Sequence, residues 1–163
     1  MTVADELPEY KRKFLVVIDD SPECDRAVTF AANRVRRTGG IVALLSVIDS
    51  ADFQQFIGVE EVMRAEAREE AERMLDKRIA RIKKIGPIRT ETIIREGKVL
   101  DAIEQVVLAD PRIAVLVLAA SPGKEGPGPL VTSFASRSGT SALPVLVAIV
   151  PGAMTDEQIV ALA

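Results

Sequence analysis

The sequence predicts a single doubly wound α/β domain, built on a five-stranded parallel sheet flanked by helices. Three observations carry this. Apolar, β-branched runs alternate five times with segments of helical period. Several of these runs are nearly continuous, as strands buried on both faces require. A length of 163 residues, 48 % apolar and 28 % charged, suits one globular domain. Residues 1–12 read as an N-terminal arm and residues 151–163 as a C-terminal tail.

KFLVVIDD (residues 13–20) is the first strand. Ser21-Pro22 follows, a good N-cap and a good first helical residue. Ala27, Val28, Ala31, Ala32 and Val35 then recur at helical spacing, and the glycines at 39 and 40 stop the helix. IVALLSVID (41–49) is the second strand. Residues 59–85 form a long helix with Met63, Ala67, Ala71, Met74 and Ile82 on its apolar side. Glu60–Arg64 and Glu69–Arg73 are spaced for ion pairs on its solvated face. IRTETIIRE (88–96) alternates, which predicts an edge or half-buried strand.

Residues 99–109 follow a Gly97-Lys98 turn as a helix with Ile103, Val106 and Val107 inward. IAVLVLAA (113–120), the most apolar run, predicts a central strand. The loop SPGKEGPGPLVTS (121–133) leads into a short helix over 131–142. Pro144 introduces the fifth strand, VLVAIV. In the tail, Thr155 is placed to cap a small appended helix.

Composition excludes several function classes. Net charge is −3 and aromatics are 4 %, which gives no reason to expect a nucleic-acid partner. With no histidine and one cysteine, Cys24, there is no Ser–His, Cys–His or His-ligated metal chemistry and no intrachain disulfide. No apolar stretch spans a bilayer and the first residues lack a signal-peptide core, so a cytoplasmic protein is expected. Cys24, in a helix's first turn, reads as a silent thiol.

Ligands of doubly wound folds sit beyond the carboxyl ends of the strands. There DDSPEC carries no glycine, so the dinucleotide fingerprint is absent. Gly97-Lys98 and Gly123-Lys124 both fail the P-loop pattern. Asp19-Asp20 resembles the acidic Mg²⁺ pair of a receiver domain. The third strand supplies no phospho-accepting Asp, however, and no Lys precedes Pro144.

Nearly the whole chain resembles a universal stress protein. The first strand ends in Asp-x-Ser at Asp19-Asp20-Ser21, and the second runs through Val47 in LLSVID. IIREGKVLDAIEQ matches the glycine turn and Ile-bearing helix, and LPVLVAIV the final strand. The resemblance implies an adenine nucleotide alpha-hydrolase-like fold of strand order 3-2-1-4-5. It implies a stress-response protein regulated by ATP or a related adenine nucleotide, with Mg²⁺. Asp19 and Val47 would then receive the base, and Ser21 would stand beside them. Gly123, Lys124, Gly126, Gly128, Thr132 and Ser133 would receive ribose and phosphates. Dedicated catalysis is not visible, and at most slow ATP hydrolysis is expected.

The loop departs from the family's G-x2-G-x9-G-(S/T) motif. Its final pair falls on Val131-Thr132, and Pro122, Pro127 and Pro129 offer no N–H. The second reading is therefore a member that binds no nucleotide and acts as a dimeric protein-interaction module. The resemblance also implies a homodimer through the last strand, with Val145, Leu146, Val147, Ala148, Ile149 and Val150 contributing.

Overall fold

Lys13–Ile18 (β1), Ile41–Ile48 (β2), Arg89–Glu96 (β3), Ile113–Ala120 (β4) and Leu146–Pro151 (β5) pair in parallel, in the order β3-β2-β1-β4-β5. The order is the expected one. The structure is a computed structural model describing residues 12–51, 53, 58–137 and 143–163. Among these residues five helices flank the sheet: α1 (Cys24–Thr38), α2 (Glu60–Ile85), α3 (Val99–Ala109), α4 (Pro129–Arg137) and α5 (Asp156–Leu162).

The pleat sends alternate side chains to two separate cores. Val16, Ile18, Val42, Leu44, Val117 and Val150 pack under α1, α2 and α5. Leu15, Ala43, Leu45, Leu116 and Leu118 pack under α3 and α4, against Ile103, Val107 and Val131. This two-sided burial explains the continuous apolar runs of β1, β2 and β4. The expected apolar side of α1 is wholly buried, and Gly39 ends that helix in the left-handed region at φ 79°. β4 is an interior strand, yet β1 is the middle one, paired with β2 on one side and β4 on the other.

Four local expectations are corrected. α1 begins at Cys24, not at Ser21-Pro22. Its N-cap is Glu23, and no side chain caps it, because Asp19 captures Ser21 in a tighter local turn. α2 buries Leu75 and Arg78 with Ala71 and Ile82, whereas Met74 is only partly covered. Arg73 pairs with Glu70 in place of Glu69, while Glu60–Arg64 forms at 3.2 Å. α4 starts two residues early, at Pro129, whose fixed φ suits a first helical position. The end of that expected helix, 138–142, lies outside the described residues.

α5 belongs to the core rather than being an appendage. Thr155 forms a full capping box with Gln158. Ile159 is fully buried beside α1, and Asp156 bridges Arg26 at 2.6 Å and Arg81 at 3.3 Å.

The two sheet edges differ. β3 exposes Arg89, Thr92, Arg95 and Glu96, and is the expected edge strand. β5 is the other edge and exposes Leu146, Val147 and Ile149.

At the amino end of β1, Lys13 is buried and reaches Glu91 at 2.8 Å and Asp110 at 2.7 Å. Burial pulls the ammonium down, but both carboxylates more than offset it, and its pKa rises above 10.5. Burial likewise pushes Asp110 up, yet Lys13 and the Arg112 N–H leave its pKa below 3.8. The clasp's contribution is therefore complete between those ordinary values. It fades as pH rises through the Lys13 pKa, or falls through that of Asp110. Lys13→Met should cost about 1–2 kcal/mol near neutrality, the partners being partly exposed. Urea unfolding at acid and neutral pH should find a shallower acid loss in the variant than in the wild type.

Candidate functional site

Strand order reverses between β1 and β4, since β1 feeds β2 on one side and β4 feeds β5 on the other. The two carboxyl ends splay there and open a crevice. A cleft of about 260 Å³ occupies the place. Val17, Leu118 and Ala119 form its floor, and Val99, Leu130 and Val131 its apolar walls. Asp19, Ser21, Glu23 and Cys24 line one side, and Pro127 to Pro129 the other.

The acidic side is set by the turn after β1. Asp19 Oδ1 accepts from the Ser21 N–H at 2.9 Å and from the Ser21 hydroxyl at 2.5 Å. This Asx turn commits the serine, and both of its bonds fall on the one carboxylate oxygen. Asp19 itself is solvent-exposed. Cys24 lies beneath, nearly inaccessible, with Sγ 3.8 Å from the Val17 carbonyl. Burial pushes its thiol pKa up, only partly countered by the Asp19 backbone and Arg78. That is the chemistry of a quiet thiol.

The opposite side is a folded-back loop. The Ser121 N–H donates to the Pro127 carbonyl at 3.0 Å, and the Gly123 N–H leans on Ser121 Oγ at 3.4 Å. Gly126 and Gly128 take φ of 100° and 106°, which side-chain-bearing residues adopt only with strain. The Thr132 N–H and hydroxyl both end on the Gly128 carbonyl, at 3.1 and 2.9 Å. Gly152 seals the far end of β5 against this region. Its N–H donates to the Ala120 carbonyl at 2.8 Å. A Cβ there would meet that oxygen at 2.4 Å and both Glu23 Cβ and Pro122 Cδ at 2.9 Å.

The structure thus gathers Asp19, Ser21 and Gly128 from the expected set around one cleft. Gly123, Lys124, Gly126, Thr132 and Ser133 lie outside its lining, with Lys124 on the exposed tip of the loop. Val47, half-buried near the end of β2, also lies outside.

Sequence reasoning missed Arg78. It is 3 % exposed. Its Nη2 donates to the carbonyls of Asp19 at 3.0 Å and Ser21 at 3.4 Å, and Nη1 pairs with Asp25 at 3.2 Å. The guanidinium thus pins the turn carrying Asp19 from behind. Its signal was a positive charge on a buried stripe at 71, 75, 78 and 82.

A model of the universal stress protein family matches residues 11–148. The chain belongs to that family. This universal stress protein is similar in fold to universal stress protein UspA from Lactobacillus plantarum. The TM-score is 0.71 and identity 21 %, over 86 % of this chain and 98 % of that one. It is similar to a family protein from Arabidopsis thaliana with AMP bound, at TM-score 0.57 and 23 % identity, over 90 % and 94 % of the chains. A universal stress protein in complex with cAMP aligns at TM-score 0.59 and 18 % identity, over 88 % and 99 %. No curated protein matches the chain. Among the described residues no helix is long and apolar enough to cross a membrane.

Proposed function

We propose that this universal stress protein binds an adenine-containing ligand in the β1/β4 cleft as a regulatory ligand, without turning it over. The observation that carries the reading is the cleft itself. It lies at the switch point, its apolar floor suits a flat base, and Asp19 stands at its rim. Relatives of the same fold with AMP or cAMP bound support it. Asp19 accepts from the ligand through the carboxylate oxygen that the Ser21 turn leaves unused. Calorimetric titration with AMP checks this. Asp19→Ala should weaken binding about 10–100-fold, the scale of a hydrogen bond to a charged group. Asp19→Asn, which keeps an acceptor for Ser21, separates the ligand contact from the turn. No heat and no thermal shift in the wild type at millimolar AMP would remove the reading.

A second reading rests on β5. We propose that this edge strand joins two copies, because Leu146, at 73 % exposed, lies with Val147 and Ile149 on a strand that pairs with β4 on one side and has no partner strand on the other among the described residues. Light scattering at micromolar concentration should give twice the chain mass, and Leu146→Lys should shift it to the monomer. A wild-type monomer counts against pairing.

A further inference from the structure

The cleft is acidic and apolar where a polyphosphate needs cations. Among the described residues that line it none is basic, while Asp19 and Glu23 both carry carboxylates. The nearest buried cation, Arg78, is committed behind β1 to two carbonyls and Asp25. Backbone donors are scarce as well. Pro127 and Pro129 have no N–H. The N–H groups of Ser121, Gly123 and Thr132 are engaged within the loop. On the loop side of the cleft those of Gly128, Leu130 and Val131 remain, the last two in the first turn of α4, where a helix offers donors without intrahelical partners. Three adjacent donors suit one anionic group and cannot dress a chain of three. Val131, 6 % exposed and packed into the α3/α4 core, fills the wall on this side. A volume of about 260 Å³ falls below the roughly 300–1,000 Å³ of most small-molecule sites.

We infer that the cleft takes an adenine nucleoside or its monophosphate and rejects the triphosphate. Val131 and Glu23 set that limit. The inference rests on the adenine reading above. A triphosphate brings several negative charges towards two carboxylates in a cleft whose described lining holds no basic side chain, and like charges so placed are repelled.

The test is calorimetry on the full chain with adenosine, AMP and ATP, each with and without Mg²⁺. Adenosine and AMP should bind, with ATP weaker by about tenfold or more in both conditions. ATP binding as tightly as AMP in either condition overturns the inference and leaves the adenine reading standing. Silence from all three ligands overturns both. Glu23→Gln removes a rim charge, and the Glu23 side chain makes no cap bond. Val131→Ala opens the wall while keeping a helix former. Each variant, verified as folded by urea unfolding, should narrow the gap between AMP and ATP. An unchanged gap in both overturns the assignment of Val131 and Glu23.

Discussion

Replacing Arg78 by methionine is expected to lower the unfolding free energy by about 3 kcal/mol. The guanidinium holds the Asp19 and Ser21 carbonyls and pairs with Asp25 across the α1–α2 contact. Removing one partner of a fully buried pair costs about 3–5 kcal/mol, chiefly by stranding the other charge. Two features place this case at the lower end. The Asp25 side chain is 31 % exposed and keeps Arg81 at 4.0 Å, so its charge is only partly stranded. Arg78 also carries a penalty of its own, because its buried Nε lacks a hydrogen-bond partner, worth about 1–3 kcal/mol that the substitution relieves. Urea unfolding reads the loss. Adding Asp25→Asn should recover part of it, since the stranded charge is gone. If the adenine reading holds, AMP affinity should also fall in Arg78→Met under conditions where the variant remains folded, because the Asp19 turn loses its rear support. A variant as stable as the wild type would sink this account of Arg78.

Ile159→Ala is expected to cost about 2–5 kcal/mol, the range for emptying a fully buried aliphatic site. A single-turn tail would lose far less. Ile159 shares a core with Val28, Ala32 and Val150. The polar contacts of α5 run to the same neighbours, Arg26, Arg37 and Arg81. For a domain of this size each kcal/mol shifts the melting midpoint by about 2–4 °C, so a fall of roughly 10 °C should appear in calorimetry. Leu162→Ala on the same helix is the control, because Leu162 is exposed and should change little. Equal effects from the two would mean that α5 is not docked as described.

The β–α alternation was legible because burial on both faces leaves a mark in sequence, an unbroken apolar run, that needs no partner to be recognised. The charged alternation of β3 likewise announced its place at the edge. Contacts between distant residues left no such mark. The serine after β1 looked like a helix cap because Ser-Pro favours one. What overrode it was the carboxylate two residues earlier, which offers a closer acceptor. Arg78 fell on a stripe whose other members are apolar, and periodicity alone registers that as an interruption. Its meaning depends on the end of β1, 59 residues away. In the loop, glycine spacing suggested a run of donors. Which N–H groups face the cleft depends on closures such as Ser121 to Pro127, which only the fold discloses.

The contrast between the sheet's two margins has a consequence for how many copies can join. One margin, β3, carries alternating charges; the other, β5, carries bare aliphatic side chains. If two copies met through β5 by a two-fold axis, each would spend its sole adhesive margin in the same contact. Both outer rims of the joined sheet would then be charged, and a third copy would find no apolar strand edge to extend. Pairing of that kind would count to two and stop, and the order of the strands would itself guard against filaments.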